Sequence, residues 1–585
     1  MSFQDLAPGS YAKDATSPLR PLESASLSDC AIIGQATIRE VGDDKSEIYY
    51  LTSAEDFIRK VNGNSLLSVY LTRSSINWDS GVPLVNANVL SEFIQDIQGL
   101  KYNQRQVLLP VELPPNLEQE SKEYLKGALV SKQGKYFECL AKTSGDFDQE
   151  KWGEISEFQI APDEGSQKNY PRGSYVVHER KLLRSRARTS NQEYDDTKWE
   201  TLNTESYQVS LSSGIQSLCQ NLLQCTEQDF GNQLQLLVTK LNELREQPDI
   251  EEQLGRIACT TISVAGFFKN GGKVAYLADT VDCETFAKNK LDDFARKNFY
   301  PGLICCPGGS SETQKALVEF AGRRDFANSE GESFCFAVTE AGRSSTEPPD
   351  ASVPDQGGAF QHHSSACYWP WLKTTSNYQR IYKVDGETVR KQYSNEIVIP
   401  PSAFIAGIYA STDSLVGVHQ APAGEDKVIK GIETLDYHVS DVEAGKLNSK
   451  SVNCLRQFPS RSPVVFGART LSSDPNYRYV SVARLHMQVR KTIKDSNRAN
   501  VFKPNDKALR KSIYRNIYTY LEGLRKNGAL EGTVAEEAFV IVCDETNNPP
   551  ELRALGQLHV NIAIAAVKPA EFIVVELAPL ATLPS

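Results

Sequence analysis

Short apolar segments alternate with helical segments in the middle of the chain, and this alternation restricts the folds that the chain can adopt. Strands are predicted at 274–278, 302–309 and 334–338, and helices at 283–297 and 312–320. The strand segments are apolar throughout, as strands buried on both faces are. Because strands that alternate with helices pack as helix layers on a sheet, the sequence predicts a small α/β layer in this region.

The C-terminal third of the chain has the clearest helical pattern. Apolar residues recur every three or four positions along a predicted helix at 506–526, with Asn505 as its expected N-cap. These apolar residues are Leu509, Ile513, Ile517, Leu521 and Leu524. A second helix is predicted at 482–495, and strands are predicted at 538–543, 558–567 and 572–577.

The composition is that of a folded protein with several domains. The 585 residues are 40% hydrophobic and 23% charged, which is ordinary for globular proteins. This length suits three or four domains. The net charge of −11 disfavours nucleic acid as the main partner, because phosphate binding requires clustered Lys and Arg.

The cysteine content predicts a protein made in a reducing compartment. The twelve cysteines are scattered, and none forms a C-x-x-C pair. The N-terminus has no basic start followed by an apolar stretch, so no signal peptide is expected. This usage predicts reduced thiols inside the core. No run of eighteen apolar residues occurs, and no membrane span is expected.

Three short segments are the candidate small-molecule sites. Residues 308–311 (GGSS) lie between a predicted strand and helix, where phosphate could bind a helix N-terminus, but the lysine of a P-loop is missing. Residues 266–273 (GFFKNGGK) have the wrong spacing for a P-loop. His362, His363 and Cys367 lack a second ligand pair at zinc-like spacing. Turns and loops are therefore the preferred interpretation, and no catalytic, cofactor-binding or metal-binding residue is predicted.

Two basic segments are interpreted first as solvated surface. The run at 180–188 has no aromatic residues between its charges, which disfavours nucleic-acid binding. The predicted helix at 506–526 carries Lys507, Arg510, Lys511 and Arg515 in its first half. The helix dipole does not favour positive charge near a helix start, so an outside partner is the alternative explanation for these four residues.

Several blocks of sequence, in the same order along the chain, resemble contractile tail sheath proteins, the family of contractile phage tails, pyocins and extracellular contractile injection systems. The C-terminal blocks are 400–402 (PPS), 406–413 (AGIYASTD), 417–423 (GVHQAPA), 466–471 (FGARTL), 502–506 (FKPND), 543–546 (CDET) and 567–575 (VKPAEFIVV). The N-terminal and central blocks are 8–11 (PGSY), 20–23 (RPLE), 31–34 (AIIG) and 267–272 (FFKNGG). Residues 63–255 do not resemble the family. Phe466 and Tyr477 stand where the family usually has tryptophan.

The resemblance implies an α+β multidomain fold with a C-terminal α/β sheath domain, a small central α/β layer, a mixed inserted outer domain, and extended N- and C-terminal arms. The expected parts are an N-terminal arm at 1–25, a discontinuous central domain at 26–62 and 256–395, an inserted outer-surface domain at 63–255, an inner, tube-proximal C-terminal domain at 396–567, and a C-terminal arm at 568–585.

The resemblance also implies a mechanical function without enzymatic activity or cofactors. The expected protein polymerises into stacked hexameric rings around an inner tube and contracts to drive the tube through a target envelope. Its expected partners are further copies of itself, the inner tube protein, and baseplate and terminal cap proteins. It would be made in the bacterial cytoplasm and act in a phage tail or injection particle. The alternatives are a baseplate or cap component of the same machine, or a nucleotide-binding α/β enzyme.

The two arms are the expected contacts between subunits. Residues 572–575 form a continuous apolar strand that Lys568 and Pro569 separate from the core, and 8–22 have little to bury. A strand without a partner in its own sheet can add to the sheet edge of a neighbour. The expected arm residues are Pro8, Gly9, Ser10, Tyr11, Glu571, Phe572, Ile573, Val574, Val575 and Glu576. The basic residues Lys507, Arg510, Lys511 and Arg515 would suit a weak, screened contact with an acidic inner tube, and they are the candidate tube-facing residues.

Overall fold

The structure is a computed structural model with mixed helices and sheets. It describes residues 22, 24–38, 46–57, 60–61, 225–247, 249–323, 333–346, 348, 363–384, 387–459 and 461–571, together with separate helices and strands between residues 76 and 201. The predicted arm residues Pro8, Gly9, Ser10, Tyr11, Phe572, Ile573, Val574, Val575 and Glu576 lie outside the described residues, as does the predicted strand at 572–577.

The strands and helices have the following bounds. The strands are β1 Cys30–Gly34, β2 Glu47–Leu51, β3 Ile76–Asp79, β4 Val82–Val85, β5 Glu123–Tyr124, β6 Leu129–Lys132, β7 Lys135–Cys139, β8 Thr143–Ser144, β9 Trp152–Ile155, β10 Gln159–Ile160, β11 Asn169–Tyr170, β12 Tyr175–His178, β13 Lys181–Ser185, β14 Thr189–Ser190, β15 Trp199–Thr201, β16 Ala275–Asp279, β17 Leu303–Cys305, β18 Phe336–Glu340, β19 Ser365–Trp369, β20 Leu372–Val384, β21 Glu387–Ile399, β22 Thr434–Leu435, β23 Val452–Arg456, β24 Val464–Val465, β25 Phe539–Val542 and β26 Asn561–Ile564. The helices are α1 Ala54–Phe57, α2 Asn88–Gln98, α3 Glu227–Arg245, α4 Ile250–Lys269, α5 Cys283–Asn289, α6 Asp293–Arg296, α7 Ser311–Gly322, α8 Ser402–Leu415, α9 Asp441–Ser449, α10 Val480–Asn497, α11 Lys507–Lys526, α12 Ala535–Ala538 and α13 Pro550–Ala554.

An eight-stranded sheet forms the centre of the molecule. Its order is β2-β16-β1-β17-β18-β19-β23-β24, with parallel pairing from β16 to β23 and antiparallel strands at both edges. Alternate residues of these strands belong to two different hydrophobic clusters. Ile32 packs in the cluster that contains α4 and α8, whereas Ile33 packs in the cluster that contains α5 and α7. Helices therefore cover both faces, which explains why the strands are apolar throughout.

The predicted α/β elements are found close to their expected positions. The strands predicted at 274–278 and 334–338 correspond to β16 and β18, and the helix predicted at 312–320 corresponds to α7. The helix predicted at 283–297 is divided into α5 and α6. The prediction of a small layer underestimates this region, because strands from residues 30 to 465 join one sheet.

The central sheet crosses one predicted domain boundary, whereas the small sheets between residues 123 and 201 lie within one predicted domain. The boundary predicted between residues 395 and 396 falls inside β21, and the central sheet contains strands from both sides of it. The described strands between 123 and 201 pair only with one another. By contrast, β3 pairs with β21, and α4 packs against β4. The start and end of the segment 63–255 therefore belong with the main body.

A buried ion pair connects the N-terminal segment to two helices. Arg484 of α10 is 1% exposed and donates both terminal nitrogens to the carboxylate of Asp413 on α8, at 2.6 and 2.7 Å. The same guanidinium donates to the carbonyl of Leu27 at 3.0 Å and lies 5.0 Å from the ring centre of Tyr409. Leu27 also passes over Gly302, where an added Cβ would lie 2.3 Å from the Leu27 Cα. Only glycine fits at that position.

We predict that Asp413→Ala destabilises the monomer by about 3–5 kcal/mol, because it leaves the buried Arg484 charge without its partner. Chemical denaturation of the purified monomer would measure the loss. Glu243→Ala is the matched control, because Glu243 pairs with Lys240 at an exposed site, and its loss should cost at most about 0.5 kcal/mol. Equal effects of the two substitutions would contradict the assigned role of the buried pair.

Candidate assembly surfaces

Glu571, at the start of the predicted C-terminal arm, belongs to a four-residue polar cluster. Arg469 donates Nε and Nη2 to the two carboxylate oxygens of Glu571, each at 2.7 Å. Asn448 Nδ2 and the Tyr479 hydroxyl donate to the same carboxylate at 3.1 and 3.2 Å. Burial acts to raise the pKa of Glu571, but the hydrogen bonds from Arg469 and Asn448 outweigh it and hold the pKa below its usual range. Glu571, predicted as an arm residue, thus lies on the body of its own subunit.

The N-terminal side of the chain is held along α10. Ala25 donates its amide to Thr492 Oγ1 at 2.9 Å and accepts at its carbonyl from Gln488 at 3.2 Å. Lys491 donates to the carbonyl of Ser26 at 3.2 Å. Polar side chains at successive turns of one helix therefore fix the backbone of 25–26, the described end of the predicted N-terminal arm. Residues 1–21 lie outside the described residues.

The predicted basic face of the 506–526 helix is only partly correct. Lys507, Lys511 and Arg515 are exposed on α11. Arg510 is 3% exposed and donates to Asn505 Oδ1 and to Glu545 Oε1, each at 3.2 Å. Its position on the helix turns it toward the loop that contains Glu545, so the assignment of Arg510 to an outside partner is corrected to an internal contact.

The N-cap of α11 also differs from the prediction. Asp506, not Asn505, caps the helix, because its carboxylate accepts from the amide of Leu509 at 2.7 Å. A carboxylate at the N-cap offsets the unfavourable effect of basic side chains in the first turn. The charge of Lys507 therefore does not by itself require an outside partner.

A two-stranded hairpin packs beside α11. β25 pairs with β26 from Phe539↔Ile564 to Val542↔Asn561. The sheet contains no further strand among the described residues. Tyr518 of α11 packs edge-to-face on Phe539 with ring centres 5.3 Å apart. A lone hairpin is marginally stable in water, so this packing supports a short sheet whose outer edge can accept another strand.

The glycine-rich turn at 308–311 is occupied by groups of the protein itself. The amide of Gly308 donates to Glu340 Oε1 at 2.5 Å, and Ser402 donates its amide to the other oxygen at 3.1 Å. The Ser310 hydroxyl caps α7 by accepting from the amide of Thr313 at 3.1 Å. A phosphate in this turn would meet the Glu340 carboxylate, which disfavours the nucleotide-binding alternative.

The residues considered as metal ligands do not converge. His363 stacks on Tyr477 with ring centres 4.6 Å apart, whereas Cys367 is buried in β19. His362 lies outside the described residues. Across the described ranges, no group of three or more His, Cys, Asp or Glu side chains is placed to bind a metal ion.

The described cysteines are free thiols. Cys225 and Cys283 are half-buried, and the others are buried. Burial raises the pKa of Cys367 to about 12, so this thiol stays protonated at neutral pH. Eight of the ten described cysteines therefore lie in the core, where the sequence analysis expected them. No helix there is long and apolar enough to cross a membrane.

Sequence reasoning missed the residues that fix the chain ends. Arg469, Asp413 and Arg484 carry charges that are used inside the subunit, and two of them lie in blocks that resemble the sheath family, 406–413 and 466–471. The available signal was a charged residue embedded in an apolar segment, as Arg484 is in 480–485 (VSVARL).

Comparisons with known proteins agree with that resemblance. Residues 287–471 match the family model of the phage tail sheath protein central domain, and residues 472–578 match that of the phage tail sheath C-terminal domain. The chain is 27% identical over 177 residues to the tail sheath protein of Vibrio phage KVP40, aligning 30% of this chain with 26% of that protein. It is 28% identical over 156 residues to the tail sheath protein of Enterobacteria phage T4, aligning 26% of this chain with 23% of that protein.

A solved structure is similar over a longer stretch. The sheath complex of an extracellular contractile injection system in the contracted state, named PVC, aligns with a TM-score of 0.44 and 27% identity. The alignment covers 56% of this chain and 82% of that chain. In sequence, the chain spans about a quarter of the length of the two phage relatives.

We predict that the stability of the monomer falls as the pH rises through neutrality. Burial, opposed by hydrogen bonds from Ser402 and Gly308, raises the pKa of Glu340 to about 7 in the folded state. The unfolded state has the ordinary, lower pKa, so the native state binds the proton more tightly, and this contribution is lost as pH rises through 7. Urea denaturation at pH 6 and pH 8.5 should show a loss of about 1 kcal/mol.

Glu340→Gln provides the comparison, because the amide stays neutral at both pH values. The variant should lose less stability than the wild type over this pH interval. Equal losses in the two proteins would show that Glu340 does not titrate there.

Proposed function

The chain belongs to the contractile tail sheath family, and from this premise we propose that it polymerises into stacked hexameric rings around an inner tube and contracts to drive that tube through a target envelope. Sheath proteins of contractile phage tails and injection systems are structural proteins. The ring symmetry, the contraction and the partners are the proposed part of this function.

The observation that carries the proposal is that both predicted arms begin at residues held on the body of the subunit. Polar contacts hold residues 25–26 on α10 and Glu571 on Arg469, so both arms start from fixed places on one body. An enzyme has no evident use for such fixed starting points, whereas a polymer that links its subunits by arms requires them. Residues 1–21 and 572–585 are the proposed links.

The outer edge of the β25–β26 hairpin is the proposed acceptor for these links. A strand added to a two-stranded sheet gains backbone hydrogen bonds, which depend little on side-chain identity. The apolar residues Phe572, Ile573, Val574 and Val575 suit such a strand, because alternate side chains can be buried against a neighbour. Each subunit would thereby stay connected while its other contacts change.

The energy for contraction would be stored during assembly. Glu340 occupies the glycine-rich turn at 308–311, which argues against a nucleotide as the energy source there. We therefore infer that the extended polymer is metastable and that subunits gain interface when they move outward.

The exposed residues Lys507, Lys511 and Arg515 are the proposed contact with an acidic inner tube. Exposed charges attract weakly and are screened by salt, which suits a tube that must later slide free. Arg510 is excluded from this contact because it is buried against Glu545.

We predict that deleting residues 572–585 abolishes assembly into long tubular polymers and leaves the monomer folded. The deletion removes the proposed linking strand but retains Glu571 and its contacts. Negative-stain electron microscopy of the expressed protein would measure assembly, and circular dichroism would measure folding. Deletion of residues 1–20 should have the same effect.

Wild-type protein that forms tubes, together with truncated protein that forms equally long tubes, would contradict the linking role of the arms. Wild-type protein that forms only single rings would favour the alternative of a baseplate or cap component.

We predict that the double charge reversal Lys507→Glu and Lys511→Glu weakens the binding of the sheath to its tube. Like charges replace opposite charges, and the change should be larger at low salt than at high salt. Co-sedimentation of sheath and tube protein at two salt concentrations would measure it. Lys526→Glu, an exposed change at the other end of α11, is the control, and tight tube binding by the double variant would contradict the proposed contact.

A further inference from the structure

The ion pair at the start of the C-terminal arm has the geometry of a directional anchor. A guanidinium that meets a carboxylate through two parallel hydrogen bonds fixes orientation as well as distance. Arg469 Nε and Nη2 form such a fork with Glu571, with both bonds at 2.7 Å. Its remaining nitrogen, Nη1, donates to the carbonyl of Asn448 at 2.9 Å. The side chain of Arg469 is thus fully engaged in a single orientation.

The backbone of Arg469 is in turn bound to the central sheet. Its amide donates to Asn453 Oδ1 at 2.7 Å, and its carbonyl accepts from Asn453 Nδ2 at 2.8 Å. Asn453 is 1% exposed within β23, and it also donates to the carbonyl of Cys367 in β19. A continuous set of hydrogen bonds therefore runs from Glu571 through Arg469 and Asn453 into two parallel strands.

The anchor and the hairpin are attached to different elements, the anchor to β23 and the hairpin to α11. The amide of Val567 donates to the carbonyl of Ala529 at 3.3 Å. This is the last hydrogen bond toward the hairpin region before the predicted arm begins. Lys568 and Ala570 are exposed. Glu571 is then held on the far side of this exposed link. A force applied to residues beyond Glu571 would act on the contact with Arg469 before it acted on the hairpin.

We propose that Arg469 is a positioning residue for assembly, whose pair with Glu571 fixes the point from which the C-terminal arm leaves and passes force on the arm to the central sheet. This inference rests on the proposed function of the arm as a link between subunits. Without the anchor, the arm would begin at Val567, and a neighbour that pulled on it would pull on β26.

A positioning pair and an ordinary stabilising ion pair differ in how much their loss changes the stability of the monomer. Arg469 and Glu571 are 14% and 20% exposed, so water and salt reduce what their attraction adds to the stability of the fold. An anchor that positions the arm should matter far more for assembly than for unfolding of the monomer. The two roles can therefore be separated by measuring both quantities on the same variants.

The test uses full-length Glu571→Gln and Arg469→Lys. The first keeps the size of the side chain and removes the charge, and the second keeps the charge and removes the fork. We expect the protein concentration needed for tube formation to rise about tenfold in Glu571→Gln and by a smaller factor in Arg469→Lys. Amide hydrogen exchange at 566–571 should accelerate, with the thermal unfolding midpoint near that of the wild type.

Asp441→Asn is the matched control. Asp441 pairs with Arg456 of β23 at 2.7 Å, is not one of the described residues that contact Glu571, and should leave tube formation unchanged. Wild-type assembly with unchanged assembly of Glu571→Gln would overturn the positioning role alone. A large fall in the unfolding midpoint would also overturn it, because the pair would then be structural. Failure of the wild type to form any tube would reject the proposed function itself.

Discussion

The buried ion pair between Arg484 and Asp413 fixes the positions of α8, α10 and the segment before β1 relative to one another. Asp413 lies on α8 at one face of the central sheet, Arg484 lies on α10, and Leu27 lies three residues before the start of β1. A charge inside a protein is tolerated only when its partners are in place. The pair therefore requires that α8, α10 and the N-terminal segment take their positions together, and this requirement makes the body behave as one unit.

The places where the two proposed arms would leave the body are both tied to its core. The N-terminal segment is held by α10, which also carries Arg484, and Glu571 is held by Arg469, which is bonded to β23. Both anchors therefore connect to elements of the main core and not to surface loops. In a polymer whose subunits stay linked while they move, this arrangement would keep relative motion between subunits and out of the subunit interior.

Periodicity predicts those regular elements that have one buried and one exposed face, because it reports which face is buried. The helix expected at 506–526 begins at Lys507 and ends at Lys526. Helix α8 was not predicted, because residues on all its sides are buried and no amphipathic pattern exists to detect. The position of the boundary near 396 was equally hidden, since sheet pairing between distant segments leaves no local signal in the sequence.

The candidate site was harder to predict than the fold, because it depends on contacts between distant residues. Lys507, Arg510 and Lys511 cannot be distinguished in the sequence, yet Arg510 is buried and donates to Glu545, which lies 35 positions later. Glu340 lies 32 positions after the glycine turn that it fills. The resemblance to the sheath family identified blocks such as 406–413 and 466–471. It does not indicate which charged residues in those blocks form contacts inside the subunit.

The charged contacts of the molecule differ in strength because they differ in burial. The side chains of Arg484 and Asp413 are buried, and breaking the pair leaves an uncompensated charge that costs about 3–5 kcal/mol. The pair of Arg469 and Glu571 is partly exposed, so its contribution is smaller, although its two parallel hydrogen bonds still fix a direction. The basic residues on α11 that face outward are the weakest of the three, because salt screens them. The proposed function would require a subunit to release a tube, hold its neighbours and stay folded, and differences in burial would be enough to give the three contacts that order of strength.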